Sequence, residues 1–157
     1  MSLRAVSESD LSVFFEHQRE PEANRMAAFP PRELDAFMTH WKERILASDR
    51  VIKRTICVDE VVVGNALCFE EPAEQGQPAR WLIGYWIGQR FWGRGIASQA
   101  VGEFVAGISK RPLFAFVARE NAGSQRVLEK CGFELIEKIA AKSDNQDSVD
   151  ECLYRLA

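Results

Sequence analysis

Residues Trp81 to Gly107 read WLIGYWIGQRFWGRGIASQAVGEFVAG, and the reading of this stretch decides the fold. Its first part, Leu82 to Ile87, is dominated by apolar and aromatic residues, a composition that suits a buried strand. Its middle, Arg90 to Gly95, reads RFWGRG. Its last part sets Ile96, Ala97, Ala100, Val101, Phe104, Val105 and Ile108 at helical spacing. A strand therefore feeds a glycine-bearing turn, and the turn opens a helix. Such a junction gathers unpaired backbone N–H groups and the positive end of a helix dipole at one point, and a phosphate group fits there. Gly93 and Gly95 remove two side chains where phosphates would approach the backbone, while Arg90 and Arg94 are placed to add charge-assisted hydrogen bonds. The plainer alternative is that the glycines only permit a tight turn. No GK[ST] follows, so the turn is not a Walker loop. It has two glycines instead of three and no first strand of a βαβ unit before it, so it is not a dinucleotide fingerprint.

Downstream, Pro112 stops any helix, and Leu113 to Val117 is apolar along its length, as a central strand is. Asn121 suits a helix N-cap. Ser124, Val127, Leu128 and Cys131 then share one side of a helix that Gly132 ends. Phe133 to Ile139 reads as a strand, Lys142 to Asp147 as polar loop and Glu151 to Leu156 as a last strand. Upstream, Val51 to Val58 and Val61 to Phe69 flank Asp59-Glu60 and should pair as an antiparallel hairpin, with Glu70 to Pro78 a loop after it. From Arg32 to Ala47 the residues Leu34, Phe37, Met38, Trp41, Ile45 and Leu46 form one apolar helical stripe. Pro21, Pro30 and Pro31 bracket a loop with a short helical piece. Ser7 with Asp10 resembles a capping box before Leu11, Phe14 and Phe15, and Leu3 to Val6 is a short first strand. No repeat or linker interrupts this pattern. The chain reads as one domain over residues 1–157, of α+β class, with a mixed and mostly antiparallel sheet.

The 157 residues are enough for one domain with a real core. A net charge of −3 lacks the basic footprint of a nucleic-acid binder. No apolar run approaches a membrane span, and MSLRAVSESD lacks the apolar core of a signal peptide. Cys57, Cys68, Cys131 and Cys152 form no CxxC pair, and the two histidines, His17 and His40, lie far from them, so no metal site is expected. A reduced, cytoplasmic setting is the simplest reading.

Three pieces in order resemble the GNAT family of N-acetyltransferases. Arg90-Phe91-Trp92-Gly93-Arg94-Gly95 is similar to that family's [Q/R]-x-x-G-x-[G/A] acetyl-coenzyme A signature. Ile83-Gly84-Tyr85-Trp86-Ile87-Gly88 resembles the IGYWIG strand of its RimJ/RimL-like branch, typified by ribosomal-protein N-terminal acetyltransferases. Asn121-x-x-Ser124-x-Arg126-Val127-Leu128-Glu129-Lys130-x-Gly132-Phe133 resembles the NxxSxRVLEKxGF block of that branch. The resemblance covers nearly the whole chain. It implies a twisted, mostly antiparallel sheet of about six to seven strands, flanked by about four helices, whose central strands splay. It also implies that acetyl-CoA is the cosubstrate. Its pantetheine arm would lie in the gap between the strands matching Leu82–Gly88 and Leu113–Val117, paired with backbone near Tyr85, Trp86 and Ile87. Its pyrophosphate would sit over Arg90, Gly93, Arg94, Gly95, Ile96 and Ala97.

The reaction implied is direct attack of a neutral primary amine on the thioester, with a backbone N–H near Trp86 or Ile87 facing the oxyanion. The matching Asn121 bonds the pantetheine region, and Ser124 points into the cleft, where its hydroxyl protonates the departing thiolate. From residue type alone, Asn121 is equally a helix cap and Ser124 a first-turn backbone partner. Two positions depart from common family patterns: Leu128 stands where many relatives carry a tyrosine acid, and Leu82 where many carry a glutamate base. Glu70 and Glu71, the nearest substitutes by topology, are either a base or a solvated strand end. The other readings are a water chain as base, or no base at all for an amine of low pKa such as an α-amino group at ~8. Trp41, Trp81, Tyr85, Trp86 and Trp92 either line an acceptor pocket or belong to the core. His17 and His40 read as structural or surface residues. Glu20, Glu22 and the Glu70–Glu74 run either attract a cationic amine or are solvated faces. The expected acceptor is a peptide or small-molecule amine, with no nucleic acid or membrane involved, and a homodimer is the common assembly among relatives. The alternatives left open are a catalytically silent acyl-CoA-binding module of the same fold and a binding module for an unrelated phosphate ligand.

Overall fold

The structure, a computed structural model, describes residues 1–72, 74, 76–144 and 148–157. Asp59 and Glu60 both take left-handed backbone, with φ of 51° and 66°. That is the geometry of a two-residue hairpin turn whose twist matches its strands. It pairs β2 (Ile52–Val58) with β3 (Val61–Glu71), and a bulge near Ile56/Cys57 shifts the register. β1 (Ser2–Arg4) adds antiparallel to β2. β4 (Arg80–Ile87) runs antiparallel to β3 without a break from Glu71↔Arg80 to Gly64↔Ile87. A side chain at Gly64 would collide with the Trp86 carbonyl, so glycine keeps the two strands close here.

β5 (Leu113–Ala118) lies parallel to β4 only at Trp81↔Leu113 and Leu82↔Phe114, and past Leu82 the two strands part. On its other edge β5 stays paired along its length with β7 (Glu151–Leu156), which separates it from β6 (Glu134–Ile139). The seven-stranded order is β1-β2-β3-β4-β5-β7-β6. The expected mixed, mostly antiparallel sheet with splayed central strands is therefore present.

Alternation along β3 sends neighbouring side chains to opposite faces, and the bulge at Val63, opposite Ile56/Cys57, inverts the phase once. Val63, Ala66 and Cys68 meet α4 (Ile96–Ala106) and α5 (Ala122–Lys130), which bury Ile96, Ala100, Val101, Phe104, Val105 and Leu128. Val62 and Leu67 meet α1 (Leu11–Gln18) and α3 (Leu34–Thr39), whose chain continues as a wider π-type coil over His40–Leu46. Leu11, Phe14, Phe37, Trp41 and Ile45 form that second core.

Among the described residues five α-helices form where about four are expected. The addition is α2 (Pro21–Ala27), a full short helix started by proline at its first position inside the segment read as mostly loop. The long Arg32–Ala47 helix changes winding at His40 instead of continuing as a plain α-helix. β6 starts at Glu134 because Phe133 is spent on ending α5. Its N–H donates to Leu128 O and the Gly132 N–H to Glu129 O, a Schellman ending. The polar loop expected over 142–147 includes residues 145–147, which lie outside the described residues. Among the described residues no helix is long and apolar enough to cross a membrane.

The amino-terminal end is tied down by one carboxylate. Asp10, 4% exposed, accepts from Arg4 Nη1 and Nη2 at 2.7 and 2.8 Å, from the Ser7 N–H at 2.9 Å and from Thr55 Oγ1 of β2 at 2.8 Å. The Arg4 bonds, helped by those from Ser7 and Thr55 and opposed by burial, hold its carboxyl down at about 2. A lowered carboxyl contributes stability that is complete above the unfolded value of 3.8 and lost as pH falls toward about 2. The contribution is roughly 2 kcal/mol. Asp10→Ala should cost about 3 kcal/mol at neutral pH, because it orphans Arg4 and the buried Thr55 hydroxyl. Urea titrations should also show the variant losing less stability than the parent as pH falls from about 4 to about 2. An unchanged acid limb would contradict the assignment.

Candidate active site

The gap between β4 and β5 is lined by backbone whose direction follows from the register. The Gly88 N–H donates to Val63 O at 2.9 Å. Counting back two residues at a time along the unbroken pairing, Trp86, Gly84 and Leu82 aim their backbone groups at β3. Tyr85 and Ile87 aim theirs away from it, into the gap. One of those groups is already taken, because the Trp92 indole N–H donates to the Ile87 carbonyl at 2.9 Å. The N–H of Ile87 and both polar groups of the Tyr85 backbone remain for a ligand.

At the end of β4 a short 3₁₀ turn over Gln89–Phe91 leads to Gly93 and Gly95, with φ of +77° and +74°. A Cβ at either position would touch nothing within 4 Å. The glycines are thus required by backbone conformation, and the space above them is open. Gly95 is the N-cap of α4 and offers no side chain to it. The first N–H to bond inside the helix is that of Gln99, to Gly95 O at 3.1 Å. The N–H groups of Ile96, Ala97 and Ser98 ahead of it have no intrahelical acceptor. The facing helix end is closed, because Asn121 Oδ1 caps α5 by accepting from the Ser124 N–H at 3.1 Å. Of two helix N-termini at one gap, the one with the glycines is left open for an anion.

A cavity of about 510 Å³ occupies the gap. It is lined by Tyr85, Trp86, Ile87, Gly93, Gly95, Ile96, Ala97, Asn121 and Ser124, all named from the sequence. Arg90 and Arg94 do not line it, and the Arg90 guanidinium lies over the Phe91 ring, 4.6 Å from its centroid. Tyr85 and Trp86 point to opposite faces of the sheet, as alternation requires, yet both reach the cavity because the parted strands open it through the sheet. The Tyr85 hydroxyl crosses to α5 and hydrogen-bonds Ser124 Oγ at 2.5 Å. Burial pushes the phenol up to about 12, against the pull of that bond. On the other face the Trp86 indole N–H donates to His17 O at 3.1 Å.

Sequence reasoning missed one wall altogether. Ala23, Met26 and Ala27 of α2 line the cavity, and only the bracketing prolines hinted that this segment was helical. It also missed Phe91, Ser98, Gly123, Arg126, Val127 and Lys130, several of which lie inside motifs read for other residues, while Trp92, one of the aromatic candidates, does line the cavity. Leu82 is buried against β3 and takes no part in the lining. Glu70 and Glu71 pair with Arg50 and Arg80, at 3.5 and 2.6 Å, and neither lines the cavity. Glu20 accepts the Gln89 N–H at 2.9 Å, and Glu22 pairs with Arg25 at 2.5 Å. Trp41 is core and Trp81 lies under Lys110, so of the tryptophans only Trp86 and Trp92 reach the cavity. His17 is buried beneath Gly88, and burial holds its pKa below the usual value. His40 stands on the π-type coil, away from the cavity.

The family model for the acetyltransferase (GNAT) domain matches residues 1–134, and the chain belongs to that family. No curated protein matches the sequence significantly. Among solved structures, an aminoglycoside acetyltransferase AAC(6')-Ib in complex with coenzyme A has a TM-score of 0.76 at 16% identity, covering 99% of this chain and 94% of that one. A chimera of spermidine N-acetyltransferase SpeG from Vibrio cholerae with hSSAT has a TM-score of 0.79 at 14% identity, covering 99% and 93%. RimL, a ribosomal L7/L12 α-N-protein acetyltransferase in complex with coenzyme A, has a TM-score of 0.79 at 20% identity, covering 98% and 92%. At these identities the likeness is one of fold.

The chain has two tyrosines, Tyr85 and Tyr154, and both phenols are raised to about 12, chiefly by burial. Phenolate absorbance of the native protein should therefore be nearly absent around pH 10, where a free tyrosine is half ionised. A raised phenol contributes stability below its unfolded value, which is lost as pH climbs toward about 12, so ionisation should accompany alkaline unfolding. Half-ionisation of either tyrosine near pH 10 in the folded protein would contradict its burial.

Proposed function

We propose that this GNAT-family chain transfers the acetyl group of acetyl-CoA to a primary amine by direct attack. The observation that carries the reading is the parted β4–β5 gap, which ends on an uncapped helix N-terminus preceded by two left-handed glycines. The pantetheine arm is the extended, amide-bearing ligand such a gap accepts, pairing with the backbone of Tyr85 beside Trp86 and leaving the Ile87 N–H for the thioester end. The N–H groups of Ile96 and Ala97 then face the pyrophosphate over Gly93 and Gly95, and Arg90 and Arg94 add positive charge at the rim. Asn121 spends its carbonyl oxygen on the Ser124 N–H and keeps its amide N–H₂ for the arm.

In this reading the amine adds to the thioester carbonyl and the Ile87 N–H faces the developing oxyanion. The C–S bond then breaks and Ser124 Oγ–H protonates the sulfur, drawing a proton in turn from the Tyr85 hydroxyl bonded to it. The proton released by the amine passes to water and restores the pair. Among the described residues no carboxylate lines the cavity, which suits an amine of pKa ~8 that loses its proton to solvent. Two sequence blocks, Ile83–Gly88 and Asn121–Phe133, support a place in the RimJ/RimL-like branch, with a protein N-terminal α-amine or a small-molecule amine as acceptor. The four unpaired cysteines support a cytoplasmic setting.

Incubation with acetyl-CoA and a panel of peptides and amines should release free thiol well above the hydrolytic background. Gly93→Glu or Gly95→Glu should weaken CoA binding on the order of a hundredfold, since each puts a negative charge beside the pyrophosphate. CoA binding without turnover on any acceptor would favour a silent acyl-CoA-binding module, and unchanged CoA affinity in both variants would move the cofactor elsewhere.

Ser124→Ala should lower kcat about a hundredfold and Tyr85→Phe about tenfold, with CoA affinity held in both. The double variant should fall little below Ser124→Ala, because the two hydroxyls act in series. Additive losses, or a fall in CoA affinity, would assign Tyr85 a structural role instead.

A further inference from the structure

The two ends of the cavity differ in chemistry. The α4–α5 end carries open N–H groups with Arg126 and Lys130. The opposite end is walled by Ala23, Met26 and Ala27 of α2 and by Trp86. Trp86 shows that end only its hydrocarbon ring, because its one polar atom is bonded to His17 O at 3.1 Å. Phe29, just past α2, packs its edge on the same ring at 6.2 Å and stays 38% exposed, which extends the apolar wall outward. Of the carboxylates nearest in the chain, Glu20 accepts the Gln89 N–H through one oxygen and Glu22 pairs with Arg25, and neither lines the cavity. If the phosphates lie at the α4 end, the acceptor has only the α2 end through which to approach.

We infer that the acceptor is a primary monoamine carried on an apolar body, seated against α2 and the ring of Trp86. This rests on the transferase reading above. An apolar body gains by leaving water here. A polycation must instead set its further ammonium groups against Met26, Ala27 and hydrocarbon ring, with no carboxylate among the described residues that line the cavity to pair them, and that burial is unfavourable. Facing Arg126 and Lys130 across the cavity adds repulsion. Two sources supply the same chemistry: a free arylalkyl or alkyl amine, and a polypeptide α-amine followed by an apolar side chain.

The test measures kcat/KM with acetyl-CoA for 2-phenylethylamine, a lysine-free hexapeptide beginning with leucine, the same peptide beginning with aspartate, spermidine and kanamycin. At least one of the two apolar acceptors should exceed spermidine and kanamycin by tenfold or more. Preference for 2-phenylethylamine points to the free-amine source, and preference for the leucine peptide over its aspartate counterpart points to polypeptide ends. Met26→Glu should shift the spermidine-to-apolar ratio by tenfold or more toward spermidine, with Met26→Leu as the control that keeps the parent ratio and both variants checked by thermal melting. Should Met26→Glu fail to fold, Ala27→Asp carries the same expectation. Faster turnover of spermidine or kanamycin by the parent protein would overturn the inference, as would a ratio unmoved in folded variants. Turnover of no amine while CoA still binds would instead defeat the transferase reading, and this inference with it.

Discussion

Everything at the site depends on where β4 and β5 stop holding each other. Two residue pairs join them, at Trp81 and Leu82, and each strand then follows its other neighbour. A sheet interior that parts in this way leaves strand polar groups without partners, which is costly unless something pairs with them. The Trp92 indole settles one, the Ile87 carbonyl. The rest remain a row of donors and acceptors facing a void. An extended ligand that completes the interrupted sheet is the natural occupant, and α4 begins where such a ligand would leave the gap.

The electrostatics of the gap follow from which polar groups are spent. Asn121 closes its own helix end, while Gly95 cannot close the end it starts. The two neighbouring N-termini are therefore unequal, and negative charge is drawn to one side. On the other side the Trp86 indole N–H is bonded within the protein, Glu22 is paired with Arg25, and Glu20 holds the Gln89 N–H through one oxygen without lining the cavity. A single cavity is thus divided into an anion-seeking end and an apolar one, with no carboxylate among the described residues that line it.

Much of this was legible in the residues. The strand–turn–helix of Trp81–Gly107 and the capped helix at Asn121 have local causes: apolar composition, glycine at positive φ, and a side chain that can cap. Nine of the site residues chosen that way line the cavity. Arg90 and Arg94 do not, because their motif fixes backbone position and leaves a long exposed side chain free to settle elsewhere, as Arg90 does on Phe91. The α2 wall was not legible. Ala23, Met26 and Ala27 reach the cavity only because β4 and β5 part beneath them, a tertiary fact with no periodic signal in a seven-residue helix. The Tyr85–Ser124 bond is of the same kind, joining residues 39 apart across the gap. The winding change at His40 has no evident source in the residue pattern.

α1 joins two features that lie far apart in chain order. Its start is pinned by Asp10 to Arg4 and Thr55, and near its end the His17 carbonyl holds the indole of Trp86. The helix is in effect a strut between the amino terminus and the cavity wall. The orientation of Trp86 is thereby set from a carboxylate nearly a whole helix away, on the face of the sheet opposite α4 and α5. Loosening that anchor would slacken the apolar end of the cavity while the phosphate-facing end, built on separate elements, kept its shape. The two halves of the site can in this way drift independently, one diversifying around a constant other.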